Sequence, residues 1–450
     1  MKAALLWRAS LLATTAYVAA AGHISPRPSL SFSPNTPYHA VVEPPPRNKT
    51  CFIESHGDGK TDDSPCILNA FRQCNNGGRA VFRQDQTYFI GTAMDWTFLN
   101  HIDIDIQGGS SSARTPHTGR PTPSGSASRT SLRSSSWVET TSGSTVRGPL
   151  TFVLHKGGTV DGNGQIWYDT HAKDIYTLRP VLFGIDGLHN SVISDLVLRY
   201  SPQYYHFVAN STNVVFNNID IAGRSTSKNK AKNTDGWDTY RSDGVTIQNS
   251  VINNGDDCVA FKPNSTNILV QNLFCNGSHG ISVGSLGQYV GTFDIVEHIW
   301  VANISMHNAS DGARIKVWPN TPSAIAGDLQ GGGGDGRVRN ITYTDMEIDN
   351  VDYAIEIDQC YGQKNLTLCL EHPSPLTISD VVVERFRGRT SKKYQPLIAA
   401  LACSSETACA NIRVRDIDVR SPNGTRDAYC LNMNAISLDV TCTDNYKGFN

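Results

Sequence analysis

Asn213-Val214-Val215-Phe216-Asn217-Asn218-Ile219-Asp220-Ile221 and Asn267-Ile268-Leu269-Val270-Gln271-Asn272-Leu273-Phe274-Cys275 are two copies of one frame. It runs approximately Asn, apolar, x, apolar, x, Asn/Asp, apolar, x, apolar. Further copies start at Asn190, Gly244, His298, Asn340, Pro375 and Asn411. The sixth place is read as Asp195, Asn218, Asn249, Asn272, Asn303, Asp345, Asp380 and Asp416. Alternation with period two indicates strand. Recurrence every few tens of residues indicates a solenoid. A short amide or carboxylate at a fixed place marks a bend, where the side chain satisfies the backbone and can stack on the next copy. One coil cannot bury its own apolar side, so coils stack. The fold class expected is all-β, a right-handed parallel β-helix. A sandwich or propeller fits less well, because hairpin signals and four-strand units are missing. A helix over Thr61–Cys74, with Ile67, Leu68 and Phe71 on one face, is expected to cap the open end.

Working outward, 39% of the 450 residues are hydrophobic and 18% charged, enough for a large core. The net charge of −2 offers no basic excess for nucleic acid. Residues 49–450 read as a single domain. Before it, Lys2, the apolar run Ala3–Ala21 and the small residues up to Gly22 read as a signal peptide over 1–21. A Pro/Ser-rich lead-in follows over 22–48. The apolar run is short and broken by Arg8, and no other stretch is long enough to span a bilayer, so a secreted, extracellular protein without a membrane anchor is expected. Nine Asn-x-Ser/Thr sequons point the same way: Asn48, Asn210, Asn264, Asn276, Asn303, Asn308, Asn340, Asn365 and Asn423. Eleven cysteines fall mostly in close pairs. Cys258/Cys275, Cys360/Cys369, Cys403/Cys409 and Cys430/Cys442 read as local disulfides, while Cys51, Cys66 and Cys74 leave one odd thiol. No CxxC starts a zinc ligand set.

Gly108–Arg147 breaks the pattern. It is dominated by Ser, Thr, Arg, Gly and Pro with almost no apolar periodicity. It is either a disordered insert or a segment outside the native reading frame.

The repeat also phases the polar residues. Asp256 lies 12 residues into the Gly244 coil and His279 lies 12 into the Asn267 coil. Equal phase makes them vertical neighbours, about 4.8 Å apart. Asp235, Asp257, Arg314, Lys316 and Tyr353 fall on successive coils of the same region. Alone, an Asp-Asp pair is usually a solvated turn or a calcium ligand, and Arg-x-Lys a solvated strand face. Phased together they form a site. Glycosidic cleavage needs a protonated acid and, for inversion, a base holding water, with carboxyls roughly 6.5–9.5 Å apart. Asp256, crowded by Asp257 and Asp235, is expected to have a raised pKa and keep the proton. Asp256 and Asp257 share a cleft only if Gly255 begins a bend. Arg314 and Lys316, on one side of a strand, suit an acidic sugar.

With Asn233-Thr234-Asp235, Gly255-Asp256-Asp257, Gly277-Ser278-His279-Gly280 and Arg314-Ile315-Lys316, the chain resembles the polygalacturonases of glycoside hydrolase family 28. The resemblance implies a right-handed parallel β-helix and inverting hydrolysis of α-1,4-linked galacturonate in pectin, without a metal or other cofactor. It implies that Asp256 donates the proton, that Asp235 with Asp257 activates water, and that His279 supports the acid. Arg314 and Lys316 bind substrate, and Tyr353, in Asp352-Tyr353-Ala354-Ile355, looks similar to the family's substrate-binding tyrosine. The pairs Cys258–Cys275 and Cys403–Cys409 look like family disulfides. Trp237-Asp238-Thr239-Tyr240, Asn276, and Gly327-Asp328-Leu329-Gln330 running into Gly331–Gly334 resemble the exo-acting branch. The expected partner is pectic polysaccharide, acted on by a monomer. Rival readings are an endo-acting, rhamnogalacturonan or xylogalacturonan hydrolase of the same fold, a calcium-dependent pectate lyase, and a non-catalytic carbohydrate-binding solenoid.

Overall fold

The repeat folds by putting both of its polar places in the left-handed region. In a computed structural model of the chain, the sixth place has φ of 57° at Asp195, 54° at Asn272 and 53° at Asp416. The first place does the same, with φ of 55° at Asn213, 54° at Asn267 and 57° at Asn340. Left-handed backbone costs an L-residue about 1–2 kcal/mol, less for Asn and Asp. Hydrogen bonds between coils offset that cost. Asn213 Nδ2 donates to Asn190 Oδ1 (2.7 Å), Asn272 Nδ2 to Asn249 Oδ1 (3.1 Å) and Asn303 Nδ2 to Asn272 Oδ1 (2.8 Å). A further ladder, not read from the sequence, joins Asn253, Asn276, Asn308 and Asn350 at 2.8–2.9 Å.

The structure describes residues 47–107 (without 85 and 93), 132–133, 151–152, 158–322 and 331–448. The expected signal peptide, most of the lead-in and Gly327-Asp328-Leu329-Gln330 lie outside them. So does most of Gly108–Arg147. Within that interval, however, Leu132–Arg133 is a strand paired in parallel with Met94–Asp95 and with Phe183–Gly184. The sequence reading placed no strand there.

Every paired strand is parallel to its neighbour, and the strands form two long sheets, a right-handed parallel β-helix. One sheet carries the frames. The other runs through Phe183–Asp186, His206–Ala209, Trp237–Tyr240, Val259–Phe261, Ile281–Leu286, Asp311–Val317, Tyr353–Asp358, Leu397–Ala402 and Asp427–Leu431. Alternate apolar residues of the frames, such as Val214 and Phe216, Val270, Ile341 and Tyr343, fill the space between the sheets. Inside it His206 stacks between Phe183 and Trp237, at 5.7 and 4.8 Å between ring centres.

One frame was misplaced. Val381 pairs with Ile341 and with Ile412, so the coil starts at Asp380, not Pro375. Its sixth place is therefore Arg385, left-handed at φ 56°. Arg385 Nε donates to Asp345 Oδ1 at 2.9 Å, so a guanidinium substitutes for the short amide.

The capping helix spans Ser64–Cys74, three residues shorter at its start than expected. Asp62 accepts from Ser64 N (3.0 Å), while Asp63 bonds the amides of His56 and Phe89 (2.8 Å each). Ile67 and Phe71 close the core end. The four expected disulfides are present, and the open choice resolves as Cys51–Cys74, leaving Cys66 as the free thiol.

Candidate active site

The bend needed at Gly255 is present: Gly255 and Asp256 lie between two strands in a turn of backbone. Gly255 has to be glycine, since a Cβ would sit 2.5 Å from the Ala231 carbonyl oxygen. Asn254 ties the motif together, donating through Nδ2 to the carbonyls of Thr234, Asp256 and Asp257 at 2.9–3.0 Å. The next coil stacks on this one: His279 N donates to Asp256 O at 2.9 Å, and His279 Nδ1 lies 3.1 Å from Asp256 Oδ1. The vertical pair expected from equal phase is thus formed.

Asp235, Asp256 and Asp257 converge, with carboxylate oxygens within 4.8 Å of one another. That distance is between single oxygens, one from each residue, and is shorter than the roughly 6.5–9.5 Å between whole carboxyl groups expected for inversion. The same spacing would suit a cation. Here positive charge comes from Lys316, whose Nζ donates to Asp257 Oδ2 (2.8 Å), and from His279. Ser282 Oγ donates to the other oxygen of Asp257 (2.7 Å). Asp256 accepts from the backbone amides of Asn233 and Asp257, each at 2.9 Å.

These contacts reverse one expectation. Burial pushes Asp256 up, but the hydrogen bond and charge of His279, Lys316 and the Asn233 amide hold it below the usual carboxylate range. Lys316 does the same for Asp257 against its burial. Burial and the negative charges of Asp238 and Asp256 instead push Asp235 well up. Of the three carboxyls, Asp235 is therefore the one pushed toward keeping a proton, with the Lys262 ammonium only partly offsetting its burial and the neighbouring negative charges. Burial would lower His279, but the Asp256 carboxylate raises it.

Arg314 and Lys316 leave the strand Asp311–Val317 on one side, as expected, and both are buried. Arg314 Nε donates to Glu356 Oε1 (2.9 Å), and its Nη1 lies 3.5 Å from Asp311. Tyr361 faces both cations, its ring centre 6.0 Å from the Arg314 guanidinium and 5.8 Å from Lys316 Nζ.

Tyr353 does not join the site. It is fully buried, its ring stacks on Tyr394 at 4.2 Å, and its hydroxyl donates to the Gly448 carbonyl (3.0 Å). The aromatic ring beside the cations is Tyr361, which reasoning from the motif missed. Its signal was position: it follows Cys360 and the strand whose Glu356 pairs with Arg314. Ser282 and Glu356 were missed for the same reason, since only strand register brings them to Asp257 and Arg314.

The model for glycosyl hydrolases family 28 matches residues 130–443. The chain belongs to that family. It is 58% identical over 418 residues to an exopolygalacturonase of Cochliobolus carbonum, covering 91% of this chain and 90% of the relative. It is 54% identical to exopolygalacturonase X of Aspergillus niger, covering 91% and 92%. Among solved structures, the endo-xylogalacturonan hydrolase of Aspergillus tubingensis superposes with a TM-score of 0.71 at 33% identity, over 89% of this chain and all of that one. The polygalacturonase of Erwinia carotovora shares the fold, with a TM-score of 0.55 at 19% identity over 88% of this chain and 98% of that one. As a member of family 28, the chain is a glycoside hydrolase.

Proposed function

We propose that the chain hydrolyses α-1,4-galacturonosidic bonds from the non-reducing end of polygalacturonate, with inversion. The observation that carries this reading is the carboxylate cluster of Asp235, Asp256 and Asp257 set directly against Lys316 and Arg314. An acid–base centre with two buried cations at its edge suits a sugar that carries its own carboxylate. The exo-acting relatives, matched over about nine-tenths of the chain, support the terminal mode of attack.

The resting charges fit a substrate-triggered acid. A galacturonate carboxylate seated on Arg314 and Lys316 offsets the positive charge that holds Asp256 and Asp257 ionised. The cluster's proton then moves from Asp235 to Asp256. Asp256 gives it to the glycosidic oxygen as the C1–O bond breaks. Asp235 and Asp257, both ionised, orient water for attack on C1 and take up its proton. His279 holds Asp256 in place. Tyr361 offers a ring face to the sugar.

The test is product analysis on polygalacturonate. Galacturonate alone as the early product supports the reading. A rapid fall in viscosity with mixed oligomers would move the chain to the endo-acting alternative, which its likeness to the xylogalacturonan hydrolase keeps in view. Unsaturated products, with loss of activity on chelation, would favour the lyase. Proton NMR of the first product settles inversion against the short carboxylate spacing: a β-anomer supports it, an α-anomer refutes it.

Secretion is part of the proposal. It rests on the leader at 1–21 and on five disulfides, which need an oxidising compartment. Of the sequons, Asn48, Asn210, Asn308, Asn340, Asn365 and Asn423 are exposed. Among the described residues no helix is long and apolar enough to cross a membrane.

A further inference from the structure

One charged pair beside the carboxylate cluster enters the chemistry above only through the charge of Asp238 on Asp235. Asp238 is fully buried, and Lys262 Nζ lies 3.1 Å from its Oδ1. Lys262 Nζ also donates to the Gly284 carbonyl oxygen at 3.3 Å. An ammonium has three N–H groups, and these contacts account for two. About a quarter of the Lys262 side chain (23%) remains exposed, so the residue is anchored by Asp238 and Gly284 yet reaches the surface of the site.

Register relates it to the other cations. Thr239, Phe261 and Val283 are paired in sequence, as are Val283 and Ile315. Lys262 and Lys316 each follow a paired core residue, Phe261 and Ile315, and so leave the outer face of the site sheet, while the strand between them shifts register just past Val283. Lys262 and Lys316 are therefore two coils apart, about 9.6 Å along the axis. Gly284 puts no side chain between them. Both ammonium groups stand beside the cluster: Lys316 pairs with Asp257, while Lys262 pairs with Asp238 on the strand that follows Asp235.

We propose that Lys262, held by Asp238, binds the carboxylate of the galacturonate on the far side of the scissile bond from Arg314 and Lys316, the unit that is released. This rests on the function proposed above. Each sugar flanking the cleaved bond carries a carboxylate, and a buried acidic cluster without a second cation would repel the one facing Asp235 and Asp238. Lys262 stays charged there, because Asp238 and Asp235 raise it well above its ordinary value despite burial.

The experiment compares the full-length enzyme on trigalacturonate and on the same trisaccharide methyl-esterified only at its non-reducing terminal unit. The wild type is expected to favour the free acid by about 10–100-fold in kcat/KM, the worth of one charge-assisted hydrogen bond. Lys262→Met should lose that preference, falling by this factor on the acid and by less than about threefold on the ester. Lys262→Arg should retain most of it. Because Lys262→Met leaves Asp238 buried without its cation, the double variant Lys262→Met/Asp238→Asn tests the same loss with the charge removed from both sides. Equal falls on both substrates, or a wild type indifferent to the ester, would overturn the assignment. A wild type that releases monomer from polygalacturonate yet shows no such selectivity refutes this inference alone. A wild type that releases only oligomers refutes the terminal reading, and this inference with it.

Discussion

The corner of each coil and the face that bears the site lie on different sheets and follow opposite rules. At the corner, most coils present the same chemistry: a left-handed Asn whose amide donates to the residue below, or an Asp whose carboxylate accepts from its neighbour. At the face, successive coils present different residues: Asp235, then Asp256 and Asp257, then His279 and Ser282, then Arg314 and Lys316, then Glu356. Repetition spreads the work of the corner over many copies. Difference concentrates the work of the face on single residues. Substitutions should therefore be costly to activity on the face and modest in stability at the corner.

The largest expected effect is Asp256→Asn. It should lower kcat by about 10³-fold or more on polygalacturonate, with little change in KM and no loss of thermal stability beyond a few degrees. Activity within tenfold of wild type would remove Asp256 from the proton transfer and favour the non-catalytic reading.

Lys316→Met should come next. It leaves the Asp257 carboxylate buried with Ser282 as its remaining strong partner, and breaking such a pair costs roughly 3–5 kcal/mol. Urea denaturation at pH 7 measures it. A loss under 1 kcal/mol would show that solvent reaches Asp257 and that the site is wetter than its burial implies.

His206 separates the interior of the coil from both regions. Burial lowers its pKa to about 4, against an ordinary value near 6.5. The unfolded chain binds the extra proton between those values, so its contribution is present above pH 6.5 and is lost as pH falls toward 4. Replacing it by Phe keeps a ring between Phe183 and Trp237 but removes this penalty. His206→Phe should gain about 2–3 kcal/mol at pH 4 relative to its own effect at pH 7. Denaturant midpoints at the two pH values that shift in parallel would contradict this.

The smallest effect belongs to the corner. Asn272→Ala removes one bond given to Asn249 and one taken from Asn303, and leaves a Cβ residue at φ 54°. It should cost about 1–2 kcal/mol. Asn272→Gly should cost less, since glycine adopts that backbone without strain. In both, kcat should be unchanged; a tenfold fall would mean that corner and face are coupled.

Much of this was legible in the chain. The frame, the bend at its polar places and the stacking of His279 on Asp256 follow from period, spacing and the short polar side chains that a tight bend requires. The frame failed at Pro375 because Asp380 stood at a place that looked like the sixth. Only register with Asn340 and Asn411 showed it to be the first, with Arg385 as the long substitute. Tyr353 was misassigned because strand position says which coil a ring belongs to and not what covers it; Tyr394 and the Gly448 carbonyl do.

The sequence by itself determined the parallel β-helix, singled out Asp235, Asp256, Asp257, His279, Arg314 and Lys316, and pointed to an acidic sugar. Those depend on local periodicity and on residue type, which a linear string carries. Tertiary structure alone decided which of the three carboxyls is pushed up and which are held down, which thiol stays free, that Tyr361 stands beside the cations and that Lys262 pairs with Asp238. Each of these depends on distances and burial between residues of different coils. An electrostatic balance among buried charges changes with every ångström, and no spacing along the chain encodes it.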